Sequence, residues 1–399
     1  MNNGKQTGSQ GRVLFMAMYL VPNDARFLKT RTALEQAGFD VSAIVPHMPG
    51  IAVAEDVGLI EPGPLSKLVA IFSRLPVLGR FASAWMARRR IRGLAIGALR
   101  ANPDVIIGYD PEAMPGAIRA SALTGARLIF DAHEYHSAED PDHPARGKWV
   151  ERLEARLNPH LDGFVTVNKS IARLYARDGR ITRPALVVRN SVNAFPAHDG
   201  VDRLRPALGV SPNENVLLYH GALRPMRGLN QLAELSHCLP EGWTIGVMGE
   251  GDLRGEIEAD ANRERFRVIP PVPHKDLPFW LTSATLGAVL YEGVGENQIN
   301  CTPNKLWEYA AAGVPILARD LPELASAVRT GGMGILISDD QNVRDIAANL
   351  SDLDDDWLAQ ASKAARKFAL ENSWDIEVAP LVDLVRELAE NPVGDRGKA

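Results

Sequence analysis

Three short stretches carry side chains able to do chemistry. The first, FDAHEYHSAEDPDHP (Phe130–Pro144), holds three His and five Asp or Glu in fifteen residues. A zinc protease needs His-Glu-x-x-His on a helix, so that both imidazoles sit one turn apart on one face. Here the order is His-Glu-Tyr-His, one residue short, and Pro141 and Pro144 interrupt a helix. A metal site is therefore not expected. Two readings stay open: His133 and Glu134 are titratable groups facing a ligand, or the loop is a solvated acidic turn. For Glu139, Asp140, Asp142 and His143 the solvated reading stands.

The second stretch is NCTPNKLWEYAAAGVP (Asn300–Pro315). Thr302 can cap a helix, Pro303 suits its first position, and Gly313 closes it with Pro315 beyond. The free N–H groups at such a start favour an anion, and Lys305 adds charge. Glu308, one turn on, could accept both hydroxyls of a ribose. The plain alternative is a Lys–Glu pair on a capped helix, worth only tenths of a kcal/mol. The third stretch, HGALRPMRGLNQL (His220–Leu232), puts Arg224 and Arg227 in a Gly-bounded turn, where Arg suits a phosphate or stays solvated. GEGD at Gly249 lacks the third glycine of a dinucleotide fingerprint and reads as a tight turn.

The elements that must position these residues alternate. RVLFMAMY (Arg12–Tyr19) is a strand, followed by a helical pattern ending at Gly38 and by the strand DVSAIVP. Asp104–Asp110, ARLIF and Asp162–Asn168 repeat the strand signal, with helical segments between. The loop from Asp131 to Pro144 thus leaves the carboxyl end of a strand. NVLLYHGAL (Asn215–Leu223) restarts the pattern, and WTIGVMGEG, RFRVIPPV, LGAVLYEG and VPILARD follow. Continuous apolar strands alternating with helices imply parallel sheets covered on both faces. The fold class is α/β, with two doubly wound Rossmann-like domains over 12–192 and 205–372. Ligands in such sheets bind at the carboxyl ends of the strands, which in a two-domain chain would face one cleft.

The chain has 399 residues, 46% hydrophobic and 23% charged, with net charge -5. This excludes a general nucleic-acid binder. Two cysteines, Cys238 and Cys301, are too few for a disulfide framework. The first eleven residues and the last nine read as polar tails, and no apolar run reaches the ~18 residues of a membrane span. A cytoplasmic protein is expected.

The pieces YHGALRPMRGL, TPNKLWEYAAAGVPILARDLPEL, IFDAHE and VVRNSVN resemble the retaining glycosyltransferases of family 4, group 1 enzymes with the GT-B fold. The likeness runs from RVLFMA to ENSWDIEVAPLVDLVREL, and Pro-Asn-Lys-x-x-Glu-Tyr followed by Ala-Gly-x-Pro is its most specific part. It implies a nucleoside-diphosphate sugar, UDP- or GDP-linked, in the C-terminal domain and a saccharide or lipid-linked acceptor in the N-terminal one. No metal or other cofactor is implied. Glu308 matches the glutamate that holds the donor ribose, and Arg227 the basic residue that binds the diphosphate. Gly221, Arg224, Asn304 and Lys305 belong to the same donor site. His133 matches the histidine beside the transferred sugar, with Glu134 and Asp110 on the acceptor side. A final helix, within 373–391, would return to the N-terminal domain. Asn300 stands where the family has the first of two glutamates, and Ala222 where it often has Arg. The resemblance also implies net retention by a front-face, ion-pair-like route in polysaccharide or glycolipid synthesis.

From Ser66 to Asn102 there are eight Lys or Arg and no Asp or Glu. Interleaved with Phe81, Trp85, Met86 and Ile91, they suit an anionic membrane surface, making the protein peripheral on its inner face. The alternative is a helix packed on the sheet with a basic outer face. Two rival functions also stay open: a GT-B-like sugar-nucleotide epimerase, and a sugar-nucleotide-binding protein without turnover.

Overall fold

The structure is a computed structural model that describes residues 9–18, 24–46, 57–60, 78–138, 143–195 and 200–391. Residues 1–8, 392–399, 66–77 and the acidic positions Glu139, Asp140 and Asp142, on which expectations were placed above, lie outside the described residues. The chain divides into two compact units: residues 1–188 with 378–399, and residues 189–377.

Unit 1 is built on β1 (Arg12–Met16), α1 (Ala25–Gln36), β2 (Asp40–Pro46), β3 (Val57–Ile60), α2 (Leu78–Ala101), β4 (Val105–Gly108), α3 (Met114–Thr124), β5 (Arg127–Ala132), α4 (Pro144–Glu154), β6 (Gly163–Thr166), α5 (Lys169–Arg177) and β7 (Leu186–Val187). All pairings are parallel, in the order β3-β2-β1-β4-β5-β6-β7. Val13, Leu14, Phe15 and Met16 of β1 are all buried, because helices cover both faces of a parallel sheet.

Unit 2 contains α6 (Leu204–Leu208), β8 (Asn215–His220), α7 (Leu229–Leu235), β9 (Trp243–Met248), α8 (Arg254–Asp260), β10 (Phe266–Ile269), α9 (Leu277–Leu281), β11 (Leu286–Val289), α10 (Gly295–Ile299), α11 (Asn304–Ala312), β12 (Ile316–Arg319), α12 (Pro322–Gly331), β13 (Gly334–Ile337), α13 (Val343–Ser351) and α14 (Asp355–Glu371). Its sheet is also parallel, in the order β10-β9-β8-β11-β12-β13. The last helix, α15 (Trp374–Glu390), begins in unit 2 and ends in unit 1. Both strand orders reverse direction once, between β1 and β4 and between β8 and β11. Such a switch point opens a crevice for a ligand.

Several local readings shift. Asp131 lies inside β5, not in the loop after it. Strand β1 stops at Met16, short of Tyr19. Residues 10 and 11 are not a free tail: Gln10 N–H donates to the Gly38 carbonyl, and Asp40 N–H to that of Gly11, so they continue the pairing of β1 with β2. Helix α11 starts one residue late, with Pro303 at its cap and no side-chain cap from Thr302. GEGD is a packing device: a Cβ at Gly249 would lie 2.0 Å from the Gly221 carbonyl oxygen.

Candidate functional site

In unit 2 the switch point gathers one cluster. Strand β8 ends in Tyr219 and His220, β11 is followed by Leu290 and Tyr291, and α11 supplies Lys305 and Glu308. All six side chains are buried. The Lys305 ammonium lies 4.8 Å from the Tyr219 ring centre and 5.4 Å from that of Tyr291. On Tyr291 also sits the Arg227 guanidinium, at 4.2 Å. Two aromatic faces thus hold two cations in place by attraction to their π-clouds. Gly221 has φ +114°, and a Cβ there would come within 3.2 Å of Lys305 Nζ, so the glycine leaves room for the ammonium. Gly228, at φ +73°, lets the turn pass the Leu290 carbonyl, which a Cβ would meet at 2.3 Å.

Glu308 Oε2 lies 3.4 Å from His220 Nε2, and Oε1 lies 3.7 Å from His274 Nε2. Burial pushes His220 down to about 4, although Glu308 pulls the other way, so His220 is neutral at pH 7. Burial pushes Glu308 up, yet His274, His220 and Lys305 together hold it below its usual value, so it is ionised. Burial pushes Lys305 down to about 8, with Arg227 acting the same way and Glu308 opposing. At neutral pH the cluster therefore holds Arg227⁺, Lys305⁺ and Glu308⁻ beside a neutral His220. One positive charge is left over for an anion, and a buried carboxylate for hydroxyl groups.

Of the donor-site residues named from sequence, the structure brings together Gly221, Arg227, Lys305 and Glu308. Arg224 is exposed. Asn304 is exposed and accepts a hydrogen bond from Asn190 Nδ2 at 2.7 Å. Asn300 ends α10, where its amide donates to the Glu296 carbonyl at 2.8 Å. Sequence reasoning missed Tyr219, His220, His274 and Tyr291. A signal was present: LYHG at Leu218 and LYEG at Leu290 repeat at the two switch-point strands.

In unit 1 the same position is spanned by Asp110, whose Oδ2 accepts from Met18 N–H at 2.9 Å. This bond joins the diverging ends of β1 and β4. Burial pushes Asp110 up to about 6, against the Met18 bond and His136. The His133 ring lies 5.4 Å from that of Tyr109 and 5.5 Å from that of His136. Glu134 is partly buried, and its carbonyl accepts from the Tyr175 hydroxyl at 3.3 Å. His143 is exposed. His-Glu-Tyr-His therefore sits on a strand end and the 3₁₀ turn His136–Ala138, not on an α-helix. Among the described residues no three His, Cys, Asp or Glu are grouped as a metal site.

Two buried networks fix that loop. Arg26 of α1 donates to both oxygens of Asp131, at 3.0 and 2.8 Å, and to the Val188 carbonyl at 3.0 Å. Arg180 donates to Glu154 at 3.1 Å, to Ser137 at 2.5 Å and to Tyr135. Glu154 also accepts from the Tyr175 hydroxyl at 2.7 Å.

Two Rossmann-like sheets, the second with an anion-ready cluster at its switch point, define a GT-B architecture. Sequence comparison is specific. The family model Glycosyl transferase 4-like domain matches residues 25–191, and Glycosyl transferases group 1 matches residues 214–356. The chain belongs to the group 1 glycosyltransferase family. It is similar to D-inositol 3-phosphate glycosyltransferase of Thermobispora bispora, 29% identical over 58% of this chain and 57% of that one. The chain thus spans little more than half the length of the curated relative it matches. In fold it is similar to sucrose-phosphate synthase from Thermosynechococcus elongatus (TM-score 0.73, 14% identity, 94% of this chain and 98% of that one). It is also similar to Anabaena HepE in complex with UDP-glucose (TM-score 0.68, 17% identity, 95% and 98%).

Proposed function

We propose that the protein is a glycosyltransferase that moves a sugar from a nucleoside-diphosphate sugar to a saccharide or lipid-linked acceptor, without a metal or other cofactor and with retention. The observation that carries this reading is the cluster of Arg227, Lys305 and Glu308 around Tyr219 and Tyr291. Arg227 and Lys305 receive the diphosphate, and Glu308 accepts the ribose hydroxyls. As the bond from the anomeric carbon to the β-phosphate oxygen breaks, its electron pair goes to the phosphate. Fixed cations stabilise that charge without reorganising. The acceptor oxygen bonds the anomeric carbon on the same face, and its proton passes to the departing phosphate oxygen. Unit 1 contributes His133, Asp110 and Glu134 on the acceptor side, and Asn300 meets a hydroxyl of the donor sugar. UDP is the first base to test, because HepE, similar in fold, holds UDP-glucose; GDP is the second.

The test is thermal stabilisation by UDP, GDP, ADP and TDP with chelator present, for wild type and Glu308→Ala. A ligand at 100 times its Kd adds about 2.7 kcal/mol. One nucleotide should stabilise the wild type and not the variant. Stabilisation of neither sinks the donor-site reading. Acceptor-dependent release of nucleoside diphosphate then separates a transferase from an epimerase or a non-catalytic binder.

We also infer that α2 rests on an anionic membrane surface, which fits polysaccharide or glycolipid synthesis with a lipid-linked acceptor. Leu94, Ala95 and Ala98 are buried in unit 1, while Arg88, Arg89, Arg92 and Arg100 are exposed beside Ile96 and Leu99, 44% and 48% exposed. At 100° per residue these six positions fall within one third of the helix circumference. No helix among the described residues is long and apolar enough to cross a membrane. Co-sedimentation with anionic vesicles, lost in Arg88→Glu/Arg92→Glu and absent with neutral vesicles, is expected. Equal binding by wild type and variant overturns it.

A further inference from the structure

The chain enters unit 2 at Arg189 and leaves it at Glu377. These two residues hold each other. Glu377 Oε2 accepts from Arg189 Nε at 2.9 Å and from its backbone N–H at 3.2 Å, and Oε1 accepts from Nη2 at 2.5 Å. A two-pronged guanidinium–carboxylate pair fixes direction as well as distance. Asn372 accepts from the same guanidinium at 2.8 Å. Further along, Asn193 donates to Asp375 at 3.1 Å and accepts from its N–H at 3.2 Å. Two side-chain pairs thus tie the entry of unit 2 to its exit.

The entry segment also lies along α11. Asn190 Nδ2 donates to Asn304 Oδ1 at 2.7 Å, the Arg189 guanidinium sits 5.5 Å from the Trp307 ring centre, and Phe195 N–H donates to the Ala311 carbonyl at 3.2 Å. Val192 and Phe195 pack against the core that contains Trp307 and Ala311. Trp307 is also stacked on Phe368 of α14, with ring centres 5.7 Å apart. At 100° per residue, positions 304, 307 and 311 form one stripe of α11 about 60° wide. Positions 305 and 308 form the adjoining stripe. A helix moves as a rigid rod, so what grips the first stripe sets where Lys305 and Glu308 stand. Binding side chains work only when their supports hold them to within about 0.5 Å.

We infer that Arg189, Asn190 and Glu377 are positioning residues for the donor site: they place α11 so that Lys305 and Glu308 meet the nucleotide. The link runs both ways, because a ligand whose affinity depends on these contacts must tighten them by the same factor. The inference rests on the donor-site reading and adds to it the entry and exit of unit 2. The probe is UDP, titrated by calorimetry into the full chain. Arg189→Lys removes the fork and Glu377→Gln the charge. Each should weaken UDP about ten-fold, inside the roughly 5–150-fold range of coupled sites. Arg205→Lys is the comparator. Arg205 pairs with Asp202 at 3.1 Å and donates to the Ser283 carbonyl at 2.8 Å, elsewhere in unit 2. This variant should lose stability and keep its UDP affinity. In the wild type, UDP should slow amide hydrogen exchange over 189–195 and 374–377, which a purely structural pair would not do. The inference is overturned if both variants bind UDP as the wild type does, if Arg205→Lys weakens it equally, or if UDP leaves that exchange unchanged. No UDP binding by the wild type would overturn the donor-site reading first, and this inference with it.

Discussion

Replacing Lys305 with methionine should stabilise the fold while removing nucleotide binding. The ammonium is buried beside Arg227, which lowers its pKa from 10.5 to about 8. That difference corresponds to about 3 kcal/mol of destabilisation at neutral pH. Methionine has similar length and keeps contact with Tyr219 and Tyr291, but it forfeits cation–π attraction of about 0.5–2 kcal/mol. A net gain of about 1–2 kcal/mol follows at pH 7. The pH dependence fixes the cause. The unfolded chain holds the Lys305 proton to about 10.5 and the folded chain only to about 8, so the unfolded state binds more protons in between. Wild-type stability therefore carries the penalty in full below about 8 and regains it as pH rises toward 10.5. Urea unfolding of both proteins at pH 7 and pH 9 should show the variant's advantage shrinking by about 1 kcal/mol at the higher pH. A variant less stable than wild type at pH 7, or an advantage that grows with pH, would refute the reasoning. Calorimetry with UDP on the same samples should show binding only in the wild type.

Nucleoside diphosphate affinity should fall as pH rises through about 8, because the protonated Lys305 is the form that meets the phosphates; calorimetry across pH 7–9.5 checks it, and an affinity flat over that range contradicts it. His133→Ala should lower turnover strongly and leave nucleotide affinity nearly intact, as read by steady-state kinetics beside a UDP titration; a large loss of UDP binding would remove His133 from the acceptor side. Arg26→Met leaves Asp131 buried without its guanidinium and should cost about 3–5 kcal/mol in urea unfolding. Asp131→Asn added to it should recover part of that loss, and no recovery would mean that packing, not charge, is responsible.

The sheets were legible because their strands are short apolar runs buried on both faces, as in RVLFM and NVLLYH. What escaped were edge strands. Strands β3, β7 and β13 have four, two and four residues, and neighbours across the sheet set them more than their own pattern does. Lys305 and Glu308 were visible as a charged pair on a capped helix, yet spacing alone could not separate that from a surface ion pair. The difference is burial, which only the packed β8 and β11 ends create. Arg26 was invisible for the same reason. It sits in an ordinary helical stretch, and its partners Asp131 and Val188 are 105 and 162 residues away.

The buried cluster of unit 2 violates the rule that cores avoid charge, and that violation supports the proposed donor site. Two cations and one carboxylate lie among tyrosines, and a histidine held neutral by burial adds bulk without charge. A structural core would lower its free energy by replacing Lys305 with an apolar side chain of similar size. Keeping the ammonium is favourable only if an anion arrives to meet it, and a diphosphate beside Arg227 and Lys305 would raise the Lys305 pKa again and hold the proton through the reaction. On the proposed function, the destabilisation by Lys305 and a stabilisation by nucleotide would be two readings of one interaction.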